Sequence, residues 1–95
     1  MAARSETVRL IVTGKVQGVG YRFWATRMAI RLGLRGWVRN RADGSVEALV
    51  TGTPQEVAAM IEACWSGPPG ARVADVTAAP AADDGSAGFV ARQTE

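Results

Sequence analysis

Residues 7–33 read TVRLIVTGKVQGVGYRFWATRMAIRLG, and the change of rhythm inside them decides the architecture. From Thr7 to Thr13, Val8, Leu10 and Val12 alternate with Thr7, Arg9 and Thr13, with Ile11 the one apolar exception. That period of two marks a half-buried strand. From Tyr21 to Leu32 the spacing turns helical, with Trp24, Met28 and Leu32 four apart, Ala25 and Ala29 beside them, and Gly33 as the stop. The stretch is therefore a strand, a glycine-rich loop and a helix.

Working outward, Leu34, Gly36 and Val38 alternate into Asn40, Ala42-Asp43-Gly44 carries turn residues, and Val46, Ala48 and Val50 alternate again. Two strands joined as a hairpin are expected. Thr53 and Glu56, three apart, form a capping box around Pro54, which suits a first helical position, and Val57, Met60, Ile61 and Cys64 make a buried stripe. The run 67–70, Gly-Pro-Pro-Gly, ends that helix. A fourth strand is expected over residues 73–77 and a short closing strand over residues 89–92, with the alanine-rich stretch 78–88 as the loop between them. Val73 and Val76 are three apart, so either a bulge or an irregular strand is implied.

The order β-α-β-β-α-β predicts an α+β fold of the split type, an antiparallel sheet with both helices on one face. One domain over residues 1–95 is expected, because the length suffices for one core only. In that topology the first and second strands run the same way on either side of the third. Thr13 and Asn40 then emerge at one sheet edge about 10 Å apart, two strand spacings. Asn40 shares parity with Val38, so it faces the loop that feeds the first helix if Val38 packs under the helices.

Composition narrows the chemistry. One cysteine and no histidine leave no disulfide framework and no soft-metal site. The amino-terminal residues lack an apolar leader, and the run at Val8 is too short to span a bilayer, so a cytoplasmic protein without membrane partners is expected. Residues 1–41 hold nine cations against one acid, and residues 42–95 hold two against eight. Either the first half meets an anionic partner, or folding intermixes the two.

The loop from Gly14 to Arg22 is the candidate for that anion. Its glycines allow positive φ, which turns successive N–H groups toward one point, and the helix that follows adds unpaired N–H groups and a positive dipole end. Arg22 in the first turn opposes the dipole at a cost of about 0.3–1 kcal/mol unless an anion is held there. The alternative is a tight turn with Arg22 in a surface ion pair. A Walker loop and a dinucleotide fingerprint are both excluded, since Tyr21-Arg22-Phe23 stands where they need Ser or Thr after Lys, or a third glycine.

Together, residues 14–22 (GKVQGVGYR), 36–40 (GWVRN) and 43–47 (DGSVE) resemble the acylphosphatase family over nearly the whole chain, with residues 67–69 and Phe89 adding to the match. The resemblance implies a ferredoxin-like fold and a small enzyme that hydrolyses acyl phosphates to carboxylate and orthophosphate. It implies no metal, cofactor or phosphoenzyme, and a small-molecule substrate. It further implies that Arg22 and the backbone N–H groups of Gln17, Gly18, Val19, Gly20 and Tyr21 bind the phosphoryl oxygens, while the Asn40 amide positions the attacking water.

This chain departs from the family in having Tyr21 where Phe is frequent and Arg41 where Thr is frequent. Arg41 is either an attractor of anionic substrate or a solvated hairpin charge. Cys64 and the tryptophans Trp24, Trp37 and Trp65 read as packing residues. Asp75 lacks a paired carboxylate, and Asp43 is explained by its turn. Two other functions fit the fold class. One is a non-catalytic module for RNA or a small anionic ligand, which the lack of aromatics on the first and third strands disfavours, so no nucleic-acid partner is expected. The other is a part of a protein that handles carbamoyl phosphate in metallocentre maturation. A free-standing monomeric enzyme is the simpler expectation.

Overall fold

Residues 4–94, described in a computed structural model, form β1 (Glu6–Lys15), α1 (Tyr21–Leu32), β2 (Arg35–Asn40), β3 (Val46–Gly52), α2 (Pro54–Ser66), β4 (Arg72–Pro80) and β5 (Phe89–Ala91). The sheet order is β4-β1-β3-β2-β5, so β1 and β2 flank β3 as expected. Those three strands and β4 pair antiparallel, but β5 lies parallel to β2. The sheet is mixed, which corrects the expectation of an antiparallel one. The cause is topological: β4 occupies the opposite edge, and the loop that follows crosses the sheet end before the chain turns back alongside β2.

One face of the sheet carries Leu10, Val12, Val38, Val46, Ala48 and Val50, all buried, and both helices close over it. The α2 stripe contributes Val57, Met60 and Cys64, and α1 contributes Tyr21, Ala25 and Ala29. Burying one large aliphatic side chain contributes about 1.5–3 kcal/mol, so this shared core is what ties the strand ends to the helix starts. Trp24 packs at its margin, whereas Trp65 is 49% exposed and is not a packing residue.

Strand β4 begins at Arg72 and runs to Pro80, taking in residues assigned from sequence to the loop. The β1–β4 register slips where Thr13 pairs with Asp75 and Gly14 with Val73, leaving Ala74 as the extra residue. That bulge explains the odd spacing, because Val73 and Val76 both join the core across it. Residues 81–88 are pinned to the outer side of β2 and do not hang free. Arg35 pairs with Asp83 at 2.6 Å, Trp37 Nε1 donates to Asp84, and the Gly36 N–H donates to the Gly88 carbonyl.

The face opposite the helices holds a buried charge. The Glu47 carboxylate meets Arg9 at 3.2 Å and Arg39 at 2.8 Å. Both these pairs and the Arg35–Asp83 pair join a cation of the first half to an acid of the second, so folding does intermix the two halves. The mixing is incomplete: among the described residues Arg22, Arg27 and Arg31 of α1 make no ion pair.

Candidate active site

The two helices begin differently. α2 starts with Thr53, whose hydroxyl accepts from the Glu56 N–H while the Glu56 side chain accepts from the Thr53 N–H, and Pro54 occupies the next position. α1 starts at Gly20 with φ 80°, with no side-chain cap and no acid in its first turn. Gly18 also has φ 75°. A Cβ at either glycine would touch nothing within 4 Å, so crowding does not demand glycine there; the left-handed backbone does.

Residues 17–20 form bends without a turn hydrogen bond. Among the described residues no backbone acceptor takes the N–H groups of Gly18, Val19, Gly20, Tyr21, Arg22 or Phe23. Donors at a helix start must be met from outside the helix, and here, with no side-chain cap, they stand at its positive end.

Of these residues, all but Val19 border a cavity of about 440 Å³, which Asn40 also lines. Asn40 ends β2, with Val38 two residues before it fully buried under the helices, so it takes the helix-side parity expected of it. Of the residues singled out from sequence, Arg22 and Asn40 thus share one cavity with part of the glycine loop. Gln17 and Val19 are absent from its lining.

Gln17 has another position. Its side-chain Nε2 donates to the carbonyls of Arg41 and Ser45, both at 2.8 Å, which staples the loop to the β2–β3 hairpin next to Asn40. The hairpin is itself braced: Asp43 Oδ1 accepts from the Ser45 hydroxyl and N–H, and these bonds hold the Asp43 carboxyl below the usual carboxylate range. The staple uses the backbone carbonyl of residue 41, which any side chain leaves in place. Arg41 in place of Thr therefore costs this connection nothing.

Two further contacts fix the start of α1. The Tyr21 hydroxyl donates to the Cys64 carbonyl at 2.7 Å, tying it to α2. Burial, with the neighbouring Cys64 adding to it, raises the Tyr21 phenol, and burial pushes the Cys64 thiol up to about 11. Cys64 is thus a core thiol held neutral. The Arg22 guanidinium, which lines the cavity, donates from one nitrogen to the Arg92 carbonyl at 2.9 Å. Sequence reading missed Arg92, Gln17 as a staple, and the cavity residues Phe23, Thr26 and Ala91. The Gln17 signal was legible only as a polar residue amid glycines; that of Arg92 depended on where β5 lies.

Among the described residues no group of three or more His, Cys, Asp or Glu side chains gathers as metal ligands would. No helix there is long and apolar enough to cross a membrane. Trp37 lies on the sheet face away from the helices, with the Arg39 and Arg92 guanidiniums 4.7 and 4.8 Å from its ring centroid.

Residues 8–91 match the family model described as Acylphosphatase. The chain is similar to the acylphosphatase of Nitrobacter winogradskyi, with 56% identity over 81% of this chain and 79% of that relative. It is also similar to the acylphosphatase of Rhodospirillum rubrum, at 52% identity over 88% of this chain and 92% of the other. Among solved structures, an acylphosphatase from Coxiella burnetii superposes with a TM-score of 0.89 at 33% identity, covering 93% of each chain.

Proposed function

The chain belongs to the acylphosphatase family and hydrolyses acyl phosphates, the mixed anhydrides of a carboxylic acid and phosphoric acid; on that premise we propose how its residues divide the reaction. The phosphoryl oxygens are held by the backbone N–H groups of Gln17, Gly18, Val19, Gly20 and Tyr21 and by the Arg22 guanidinium. Asn40 accepts a hydrogen bond from the attacking water. As the new oxygen–phosphorus bond forms, the bond from phosphorus to the acyl oxygen breaks and its electron pair leaves with the carboxylate. The proton of the water passes to a phosphoryl oxygen.

What supports this reading is one observation, the meeting of an unsatisfied helix start, Arg22 and Asn40 at a single cavity. Phosphoryl transfer through a loose transition state asks mainly for positioning and for stabilisation of equatorial charge, which oriented N–H groups and a guanidinium supply. A carboxylate is a good leaving group, so neither a histidine base nor a strong acid is required. Gln17 enters twice, through its N–H at the phosphate and through its side chain as the staple that sets the loop-to-Asn40 distance. The same reading keeps a one-domain cytoplasmic enzyme that acts as a monomer without nucleic acid. Light scattering at the mass of a single chain checks the monomer, and a dimer overturns it.

The test is hydrolysis of benzoyl phosphate in EDTA by the wild type, Arg22→Ala and Asn40→Ala, with circular dichroism to verify folding. Each variant is expected to lose on the order of 10²–10³ in rate. Full activity in either folded variant removes that residue from the mechanism.

A further inference from the structure

A second groove of about 380 Å³ adjoins the first cavity, and the two share only Gly20 and Phe23. Its apolar surface comes from Val19, Phe23, Trp24, Met28 and Pro68, and Arg27 and Arg31 stand at its border. Phe23 is 67% exposed, an unusual place for a large aromatic, with the Arg27 guanidinium 5.5 Å from its ring centroid. Arg27 and Arg31 are one helical turn apart, and neither makes an ion pair among the described residues. The first cavity therefore continues over an aromatic crest into an apolar trough with two uncompensated cations.

Resting on the acyl-phosphate reading above, we propose that this trough receives the acyl part of the substrate and favours acyl groups with an apolar or aromatic body and a second negative charge at the far end. Direction supports this. Attack and departure at phosphorus lie roughly in line, so the acyl oxygen leaves on the side away from the water that Asn40 holds. Asn40 borders the first cavity only, whereas the second groove contains no residue of β2 or β5. Length supports it too. Phe23, which borders both cavities, stands one helical turn before Arg27 on the same face, about 6 Å along the axis, a distance that a benzoyl ring spans with a para substituent. Charge completes the match, since a carboxylate there meets cations that no protein acid neutralises.

The experiment compares kcat/KM for acetyl, benzoyl and 4-carboxybenzoyl phosphate in EDTA, using the wild type and the double variant Arg27→Gln/Arg31→Gln, which keeps helix propensity while removing both charges. Exposed ion pairs contribute little each, so the wild type should favour the 4-carboxybenzoyl over the benzoyl substrate by about five- to tenfold more than the variant does. The difference should sit in KM and shrink in high salt. Acetyl phosphate, too short to reach the trough, should stay within about twofold in the same comparison. An unchanged preference in the double variant overturns the subsite while leaving the hydrolase reading intact, and so does a parallel fall on acetyl phosphate, which would mean general attraction of anions. Wild type inactive on all three substrates overturns the hydrolase reading and the subsite with it.

Discussion

The starts of α1 and α2 are built from opposite instructions. At α2 the chain nearly completes itself: Thr53, Pro54 and Glu56 satisfy or remove every donor of the first turn but the Gln55 N–H. At α1 the chain stops short, with glycine at the cap, no acid, and Arg22 placed against the dipole. A full capping box at one helix and none of it at the other fits the proposed reading, in which a phosphate completes the second. On that reading, local stability is written at one helix start and function at the other.

The comparison breaks most visibly at Arg22. Its replacement by Ala should remove two to three orders of magnitude in rate and leave stability within about 1 kcal/mol, since relief of a cation opposing the dipole offsets the lost bond to the Arg92 carbonyl. Urea unfolding beside kinetics reads both quantities. A large stability loss with proportionate inactivation would make Arg22 a structural residue.

The contact joining the two helices gives the next effect. The Cys64 thiol, raised by burial from an ordinary 9.0 to about 11, stays protonated in the folded state while the unfolded chain ionises. Its stabilising contribution is therefore complete below pH 9 and is lost as pH rises toward 11, by about 2–3 kcal/mol. The raised Tyr21 phenol acts in the same direction at higher pH. Thermal melts of the wild type from pH 8 to 11 should fall more steeply than those of Cys64→Ala, and equal slopes would remove the thiol from the account.

Gln17→Ala should lower kcat/KM by about tenfold, because two bonds of roughly 1 kcal/mol each hold the loop beside Asn40. Stability should fall by about 1–3 kcal/mol with the fold kept, and the rate per folded molecule should fall in kcat; an unfolded variant would show the staple to be structural. Thr53→Ala should cost about 1 kcal/mol of stability and leave the rate per folded molecule unchanged. Lost activity at constant fold there would erase the contrast between the helix starts.

Much of this was legible beforehand for a physical reason. Both helices and the first three strands carry apolar residues at the period of their own element, and α2 carries its cap in consecutive residues. The bulge at Ala74 was visible as a broken alternation but could not be placed, since a bulge is defined by the partner strand. The parallel pairing of β5 escaped because three residues hold no information on direction. At the candidate site, Arg22 stood out by type and position, and Asn40 by parity together with the family resemblance. The Gln17 staple and the Arg92 carbonyl did not, because both depend on backbone atoms brought from distant segments, and backbone carbonyls are invisible in a sequence.

The most direct measurement follows amide shifts in ¹H–¹⁵N spectra while inorganic phosphate is added in EDTA. Saturable shifts are expected at the backbone amides of residues 17–22, at the Arg22 side chain and at the Asn40 side-chain amide, with those of Thr53 and Glu56 unmoved. Shifts absent from residues 17–22, or equal at the two helix starts, would contradict the proposed reading.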